Sequence, residues 1–512
     1  MFIKNKTPYI ISFFIFIIPI LAFLNKINLP QVTALEVYLI SFSQFFFLII
    51  TFLLSYLIHN LFLKKKIELR IFFLINSFVV FLLLFFQNIK SLLFFESQNF
   101  VFDEIFAFFI FFLIYLFLIK FAEKYFNLIS RFLIIFILLQ FSLFAYNLII
   151  TNVTLDSHTI HGGKENIDSN FNSLSINESK DIGNIFFIVF DGMMTLESAE
   201  KLKIIENKEV IINSLKKDNI NYKENFLANY DSTYLSLASL LKGSYPVMEK
   251  SKKYRTRKNY FPFFLMDQKK DNSFFKILRQ TNKKFFWLGN SNSSCLNNIY
   301  INCVGENRNL KFISIVSLFY YDSAYIYLFN KILGQYDNRY ESIDFLVNPK
   351  KEFEGNEIYL LHILNPHPPY YLNENCEIKD DLMKNLKTNE KKVEYYGYAY
   401  NCLLDIAQVF TNKISKTNEK DLIFIMGDHG WSFDNETMEK NNLKKANNRF
   451  KTFFAYKVPS KCDEIPPPNS IVNIFRFALN CSENSDLNYL KDLQFISFPE
   501  GHKNYGKVFL RN

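Results

Sequence analysis

The chain has no C-x-x-C pair, and none of its six cysteines falls before residue 295. A zinc site built from cysteines needs closely spaced thiolates, so that class of site is not expected. An Arg-rich groove and any nucleic-acid-binding motif are also missing. The net charge of +9 comes mostly from lysines scattered among asparagines and isoleucines. Such a pattern reads as solvated surface, and no nucleic-acid partner is expected. No small-residue cleavage site follows the first apolar run. That run therefore does not read as a cleaved signal peptide, although Lys4 and Lys6 precede it.

Phenylalanine is in excess instead, with 61 among 512 residues. The excess sits before residue 150; after residue 180 charged residues recur every few positions. Five apolar runs, at 8–24, 38–63, 71–87, 104–119 and 132–150, approach the ~20 residues a helix needs to cross a bilayer. With the N-terminus inside, the inner loops carry Lys4, Lys6, Lys64, Lys65, Lys66, Arg70, Lys120, Lys124 and Arg131, and the outer loops only Lys26 and Lys90. Positive charge is retained on the cytoplasmic side. Five spans then leave everything after residue 150 outside the cytoplasm. The expected organisation is a five-helix transmembrane bundle at 1–150, a flexible polar linker at 151–183, and an extracytoplasmic catalytic domain at 184–512. The protein is expected in the cytoplasmic (inner) membrane, multi-pass, with that domain periplasmic or otherwise external. A later apolar stretch from Phe312 contains Asp322 and many aromatic or hydroxyl interruptions. It reads as an amphipathic helix of the soluble domain rather than a sixth span.

All six cysteines, Cys295, Cys303, Cys376, Cys402, Cys462 and Cys481, lie in the part placed outside. An even number on an oxidising side suggests disulfides. The sequence-local pairing 295–303, 376–402 and 462–481 is one arrangement among several.

The soluble domain opens with NIFFIVFDG at 184–192, a buried strand ending in Asp191 and Gly192. A helical stretch follows at about 195–217. DLIFIMGDHGWS at 421–432 repeats the pattern, ending in Gly427, Asp428, His429 and Gly430; NEIYLLHILNPHPPY at 356–370 ends near His362 and runs into His367. Apolar strands alternating with helical patterns predict an α/β domain with a mainly parallel sheet. Ligands bind at the carboxyl ends of such strands. Asp191, Asp428, His429 and His367 all fall at that edge. Carboxylate oxygen with imidazole nitrogen suits one divalent metal, zinc or manganese. Singly, each motif has a plainer explanation: a D-G pair is usually a turn, and D-H-G is short enough to arise by chance.

Residues 229–246, NYDSTYLSLASLLKGSYP, read as a hydroxyl-rich turn and a short helix stopped by Gly243 and Pro246. Thr233 opens that helix, where free backbone N–H groups favour an anion or alkoxide. A Thr hydroxyl becomes a nucleophile when a metal lowers its pKa. Capping by Thr233 or Ser232 is the commoner role for such a residue.

The ordered set of strand-Asp, T-x-x-S-x-x-S-L-L-x-G-x-Y-P, N-P-H-P-P-Y and G-D-H-G resembles the sulfatase-like branch of the alkaline phosphatase superfamily. The resemblance covers about 184–482. Five spans followed by such a domain are similar to lipoteichoic acid synthases and lipid A phosphoethanolamine transferases. The resemblance implies that Thr233 is nucleophile and metal ligand, that Asp191, Asp428 and His429 complete the metal site, and that His367 contacts substrate phosphate. It further implies a membrane lipid donor and an envelope glycan or lipid as acceptor.

Departures narrow the choice. Sulfatases that form formylglycine carry Cys or Ser, then Pro and Arg; here the positions are Thr233, Leu235 and Leu237. No Asp stands four residues before His362 or His367, as two-metal relatives would have, so one metal is expected. Asp191 and Trp431 stand where relatives often carry Glu. A hydrolase of phosphate or sulfate esters on surface glycans is the alternative within enzymes. A non-catalytic membrane binding protein is the alternative outside them, disfavoured because Asp191, Thr233, Asp428 and His429 are all intact.

The topology has a direct test. Alkaline phosphatase fused to the C-terminus is expected to be active, whereas a cytoplasmic reporter active at that position would invert the orientation.

Overall fold

A computed structural model of the chain describes residues 34–62, scattered positions between 17 and 145, and, apart from single positions, 183–247, 273–288, 301–303, 339–348, 353–379, 388–433, 447–497 and 508–511. The chain divides into two compact units, Met1–Asp156 with Glu306–Tyr336, and Ser157–Gly305 with Asp337–Asn512. In the first, Ala34–Phe62 forms a 29-residue helix, α1, over the second predicted span. Among the described residues no helix is long and apolar enough to cross a membrane, the side chains of α1 being described only in part. The other predicted spans, the linker at 151–183 and the stretch from Phe312 lie largely or wholly outside the described residues, as does Cys295.

The second unit is built on a sheet of seven strands in the order β2-β7-β6-β1-β5-β3-β4. These are β1 Ile185–Asp191, β2 Asn221–Tyr222, β3 Lys284–Leu288, β4 Ile301–Cys303, β5 Glu357–Pro366, β6 Leu422–Gly427 and β7 Phe454–Lys457. β6, β1, β5, β3 and β4 are mutually parallel, and β7 runs antiparallel to both β6 and β2. Only one of the seven strands is therefore reversed. A separate antiparallel pair joins β8 Phe495–Ser497 to β9 Val508–Leu510.

Every residue of β1 is buried, as expected of a central strand covered on both faces. Alternation along it sorts side chains between two cores. Ile185, Phe187 and Val189 join the core under α4 (Thr233–Lys242), α5 (Ser273–Thr281) and α9 (Ile474–Glu483). Phe186, Ile188 and Phe190 join the opposite core under α2 (Leu196–Lys201), α3 (Lys208–Lys217), α6 (Arg339–Val347) and the long α7 (Asn389–Thr417). A four-residue turn of helix, α8 (Asn447–Phe450), precedes β7. Register then stacks aromatics across strands. Tyr359 lies between Phe186 and Phe286, each 4.9 Å away, and Phe187 stacks on Phe424 at 5.4 Å on the other face.

The single helical stretch predicted at 195–217 is two helices. Ile204 N–H reaches back to Ala199 O (2.9 Å) and Lys203 adopts φ 58°, the six-residue closure that ends a helix in a left-handed residue. Here Lys203 takes the place Gly usually holds, and Ile204 turns into the core. Asn207 then caps α3 by accepting from Glu209 N (2.8 Å). Elsewhere the breaker is where it was predicted: Gly243, at φ 55°, terminates α4. His362, expected at a strand end, lies inside β5, which runs on to Pro366.

Two of the three expected disulfides are present, Cys376–Cys402 and Cys462–Cys481, with Cα–Cα distances of 5.4 and 5.2 Å. Of the expected 295–303 pair, Cys303 ends β4 and Cys295 lies outside the described residues.

Gly427 ends β6 with no room for a side chain, since a Cβ there would run into the Met193 carbonyl and Thr452 Oγ1. Gly427→Ala is expected to destabilise the domain by about 2 kcal/mol, read as a lowered denaturation midpoint. An unchanged midpoint would show that the backbone there yields.

Candidate metal centre

The site arises from strand register. Phe190 pairs with Ile363 of β5 on one side and Gly427 of β6 on the other. Asp191, the last residue of β1, and Asp428, the first past β6, therefore emerge side by side at the carboxyl edge. The β1–β5 register shifts between Phe190 and Asp191, so that Asp191 faces Pro366, and His367 N donates to Asp191 O (2.9 Å). Four sequence-predicted residues thus meet at one edge, and α4 brings the fifth.

Asp428 Oδ1 accepts from Gly192 N and His429 N, both at 2.8 Å. Its Oδ2, like Asp191 Oδ1, is buried without a hydrogen-bond partner. These two oxygens lie 3.6 and 3.5 Å from His429 Nε2, and Thr233 Oγ1 lies 3.4 Å from the same nitrogen. Asp191, Asp428 and His429 each offer a ligand atom within 4.8 Å of the others'. Donors bound to one tetrahedral ion at about 2.0–2.1 Å stand roughly 3.4 Å apart, so the spacing fits a single divalent cation. The imidazole fits too. His429 Nδ1 is 2.8 Å from Gly430 O, and a carbonyl only accepts, so Nδ1 carries the proton and Nε2 presents its lone pair.

Protonation agrees with this chemistry. Burial pushes His429 down to about 4, against the opposing pull of Asp428, so the imidazole is neutral at pH 7. Burial and then the Asp428 charge raise Asp191 well above the usual carboxylate range. For Asp428 the upward push of burial is outweighed by His429 and His362, and its pKa is lowered. Of the two carboxyls Asp191 is thus the one that favours a proton, and a cation would compete with that proton.

Thr233 is the first residue of α4. Ser232 occupies the cap position but its side chain makes no capping bond. Neither hydroxyl therefore closes the helix end; Thr233 is turned to His429 instead. His367 is half-buried, its ring 6.4 Å from that of His429 and 4.6 Å from Trp431. Its Nδ1 bonds to Pro368 O at 2.5 Å, which leaves Nε2 for other contacts.

Three features of the site carry no sequence motif. His362, buried inside β5, brings Nε2 to 3.9 Å from Asp191 Oδ2. Tyr396 of α7 donates to Gly192 O (2.8 Å) and accepts from Met194 N (3.1 Å), while Tyr400 donates to Met194 O (3.1 Å). The loop after Asp191, with Gly192 at φ 72°, is thereby tied to the long helix. Arg449 places its guanidinium 5.6 Å from the Trp431 ring.

Because a proton competes with a cation for the Asp191 carboxylate, whose pKa is raised, binding of zinc or manganese is expected to release protons and to weaken as pH falls. Calorimetry in buffers of different ionisation enthalpy measures this. Asp428→Asn and His429→Ala each remove a ligand and are expected to abolish stoichiometric metal. Undiminished metal content in both variants would place the ion elsewhere.

No protein-family model and no curated protein matches the chain. Solved structures do. The C-terminal periplasmic domain of EptC from Escherichia coli, in complex with Zn, is 10% identical with a TM-score of 0.38, covering 66% of this chain and 94% of that one. The C-terminal periplasmic domain of the phosphoethanolamine transferase EptC from Campylobacter jejuni is 14% identical, TM-score 0.33, covering 59% and 89%. The lipoteichoic acid synthase LtaP from Listeria monocytogenes is 12% identical, TM-score 0.31, covering 67% and 85%. At identities and scores this low, function has to be read from the residues of the site.

Proposed function

We propose that the protein is a membrane-anchored, metal-dependent phosphotransferase that moves a phospholipid head group, of phosphoethanolamine or phosphoglycerol type, through a covalent phospho-Thr233. The observation that carries this is the convergence of Thr233 Oγ1, His429 Nε2 and two unpartnered buried carboxylate oxygens at the N-terminus of α4. A buried pair of carboxylates beside a hydroxyl is costly unless a cation joins them.

Asp191, Asp428, His429 and Thr233 would hold the ion. Once bound, it would neutralise the two carboxylates and lower the pKa of the Thr233 hydroxyl. Thr233 then attacks phosphorus; the Oγ1–P bond forms as the bond to the lipid alcohol breaks, and that alcohol leaves with a proton. The N-terminus of α4, where Ser232 makes no side-chain cap, favours the charge that develops on the phosphoryl oxygens. His367, whose Nδ1–H is held by Pro368 O, would contact the phosphate through Nε2 as an imidazolium, the added proton being favoured by the phosphate's negative charge. An acceptor hydroxyl on an envelope glycan or lipid reverses the attack and restores Thr233. Water in that place would make the same site a hydrolase.

The placement proposed is the outer side of the cytoplasmic membrane, with residues 1–150 as the anchor, 151–183 as linker and 184–512 as catalytic domain. Two disulfides support an oxidising compartment, and the loop charges support the orientation. Nucleic acid is not a partner in this reading.

Thr233→Ala is expected to leave the fold intact, changing stability by no more than about 0.5 kcal/mol because Thr233 caps nothing. Head-group release is expected to fall by roughly a thousandfold or more. Thr233→Ser is expected to keep part of the turnover, and intact-mass analysis of the wild type to show a phosphorylated Thr233. Wild-type turnover in Thr233→Ala would remove the residue from the chemistry.

A further inference from the structure

Arg449 has no place in the motifs and none in the metal centre. It lies on α8, just before β7, and its backbone carbonyl accepts from Gly430 N (2.8 Å), which fixes it against the D-H-G turn. The guanidinium stands 5.6 Å from the Trp431 ring, within the distance at which a cation and an indole attract. Trp431 in turn touches His367, at 4.6 Å between ring centroids, and sits over Gly192, where an added Cβ would be 3.2 Å from its Cε3. One indole thus spaces Arg449, His367 and the loop behind Asp191. The Arg449 charge reaches the site itself: it lowers Asp191, after burial and Asp428 have raised it, and it adds to the depression of His429 that burial causes.

The guanidinium is not spent on a carboxylate. Arg449 makes no ion pair among the described residues, and its Nε is buried with no hydrogen-bond partner. A buried donor left unmatched costs free energy unless something accepts from it. A guanidinium carries its charge at any working pH and presents a planar fork of N–H groups that matches phosphate oxygens. The metal centre cannot supply the whole of that match, because its two carboxylates cancel the charge of a divalent ion.

We propose that Arg449 is a substrate-binding residue whose guanidinium, held beside Trp431, donates to the non-bridging oxygens of an anionic phosphoester beside the metal centre. This rests on the phosphotransferase reading and names the group that recognises its charge. Trp431 is then a positioning residue, acting through Arg449.

Inorganic phosphate is the probe, titrated into the full-length, zinc-loaded protein in detergent. Wild type is expected to bind phosphate, and Arg449→Gln to bind it about tenfold or more weakly, with zinc content unchanged. Arg449→Lys, which keeps the charge and loses the fork, is expected to fall between. A second measurement needs no variant: phosphate is expected to protect Arg449 of the wild type from phenylglyoxal, scored peptide by peptide by mass spectrometry. Equal phosphate affinity in wild type and Arg449→Gln would overturn the assignment. If the glutamine variant does not fold, modification of Arg449 at the same rate with and without saturating phosphate would overturn it. Absence of phosphate binding by the zinc-loaded wild type would overturn it as well. Protection of Arg449 in a protein that never forms phospho-Thr233 would keep the anion site and reject only the transfer chemistry.

Discussion

Two carboxylates, Asp191 and Asp428, are forced together inside the protein, and that juxtaposition dictates how the site is organised. They end adjacent parallel strands in matched register, so neither can move away without shearing the sheet. Asp428 spends one oxygen on two backbone N–H groups and turns the other toward Asp191 and His429. Like charges in a medium of low dielectric cannot both ionise without a cation or a proton between them. The raised pKa of Asp191 expresses that conflict. His429 does not relieve it, because burial keeps its imidazole neutral. The arrangement is a strained one that a divalent ion would settle.

Everything around the pair serves to hold it in place. The loop leaving Asp191 must turn at once, which Gly192 permits at φ 72°, and it is then fastened by two tyrosine hydroxyls from α7. The loop leaving Asp428 is fastened by Gly430 N to Arg449 O, and Gly430 itself has no space for a Cβ against the Asn448 and Lys451 carbonyls. Cys376–Cys402 ties the segment after His367 to the same long helix that carries Tyr396 and Tyr400. Side chains placed this way keep their geometry when the chemistry changes their charge, which is what preorganisation requires.

The parts legible in the sequence are those written in consecutive residues. A run of apolar residues ending in a carboxylate names a buried strand and its exit, and so β1, β5 and β6 were readable with Asp191, His367, Asp428 and His429 at their ends. A hydroxyl-rich turn, helical spacing and Gly243 together fixed α4 almost to the residue. What was not legible depends on partners distant in sequence. β2 is two residues long and exists only because β7 lies beside it, and no periodicity can reveal so short a strand. The break between α2 and α3 lacks the glycine that usually marks it, since Lys203 takes the left-handed position and burial of Ile204 compensates. Tyr396 and Arg449 are single residues in unremarkable surroundings, and only the fold brings them to the edge of the site.

Charge balance around Thr233 ties these elements together. Two carboxylates and a divalent ion sum to nothing, so they attract no anion beyond the first coordination sphere. An alkoxide at Thr233 facing a phosphodiester would set one negative charge against another, and repulsion would keep them apart. Among the described residues two sources of positive potential remain. One is the start of α4, where Ser232 makes no side-chain cap and whose dipole is worth about half a charge. The other is the guanidinium of Arg449 on its indole support. They belong to different elements, one packed beneath the sheet's first core and one beyond the D-H-G turn. An anion held between them would meet Thr233 with its charge already answered. A site of this kind selects for negative charge at the reacting group and leaves the remainder of the substrate to other surfaces.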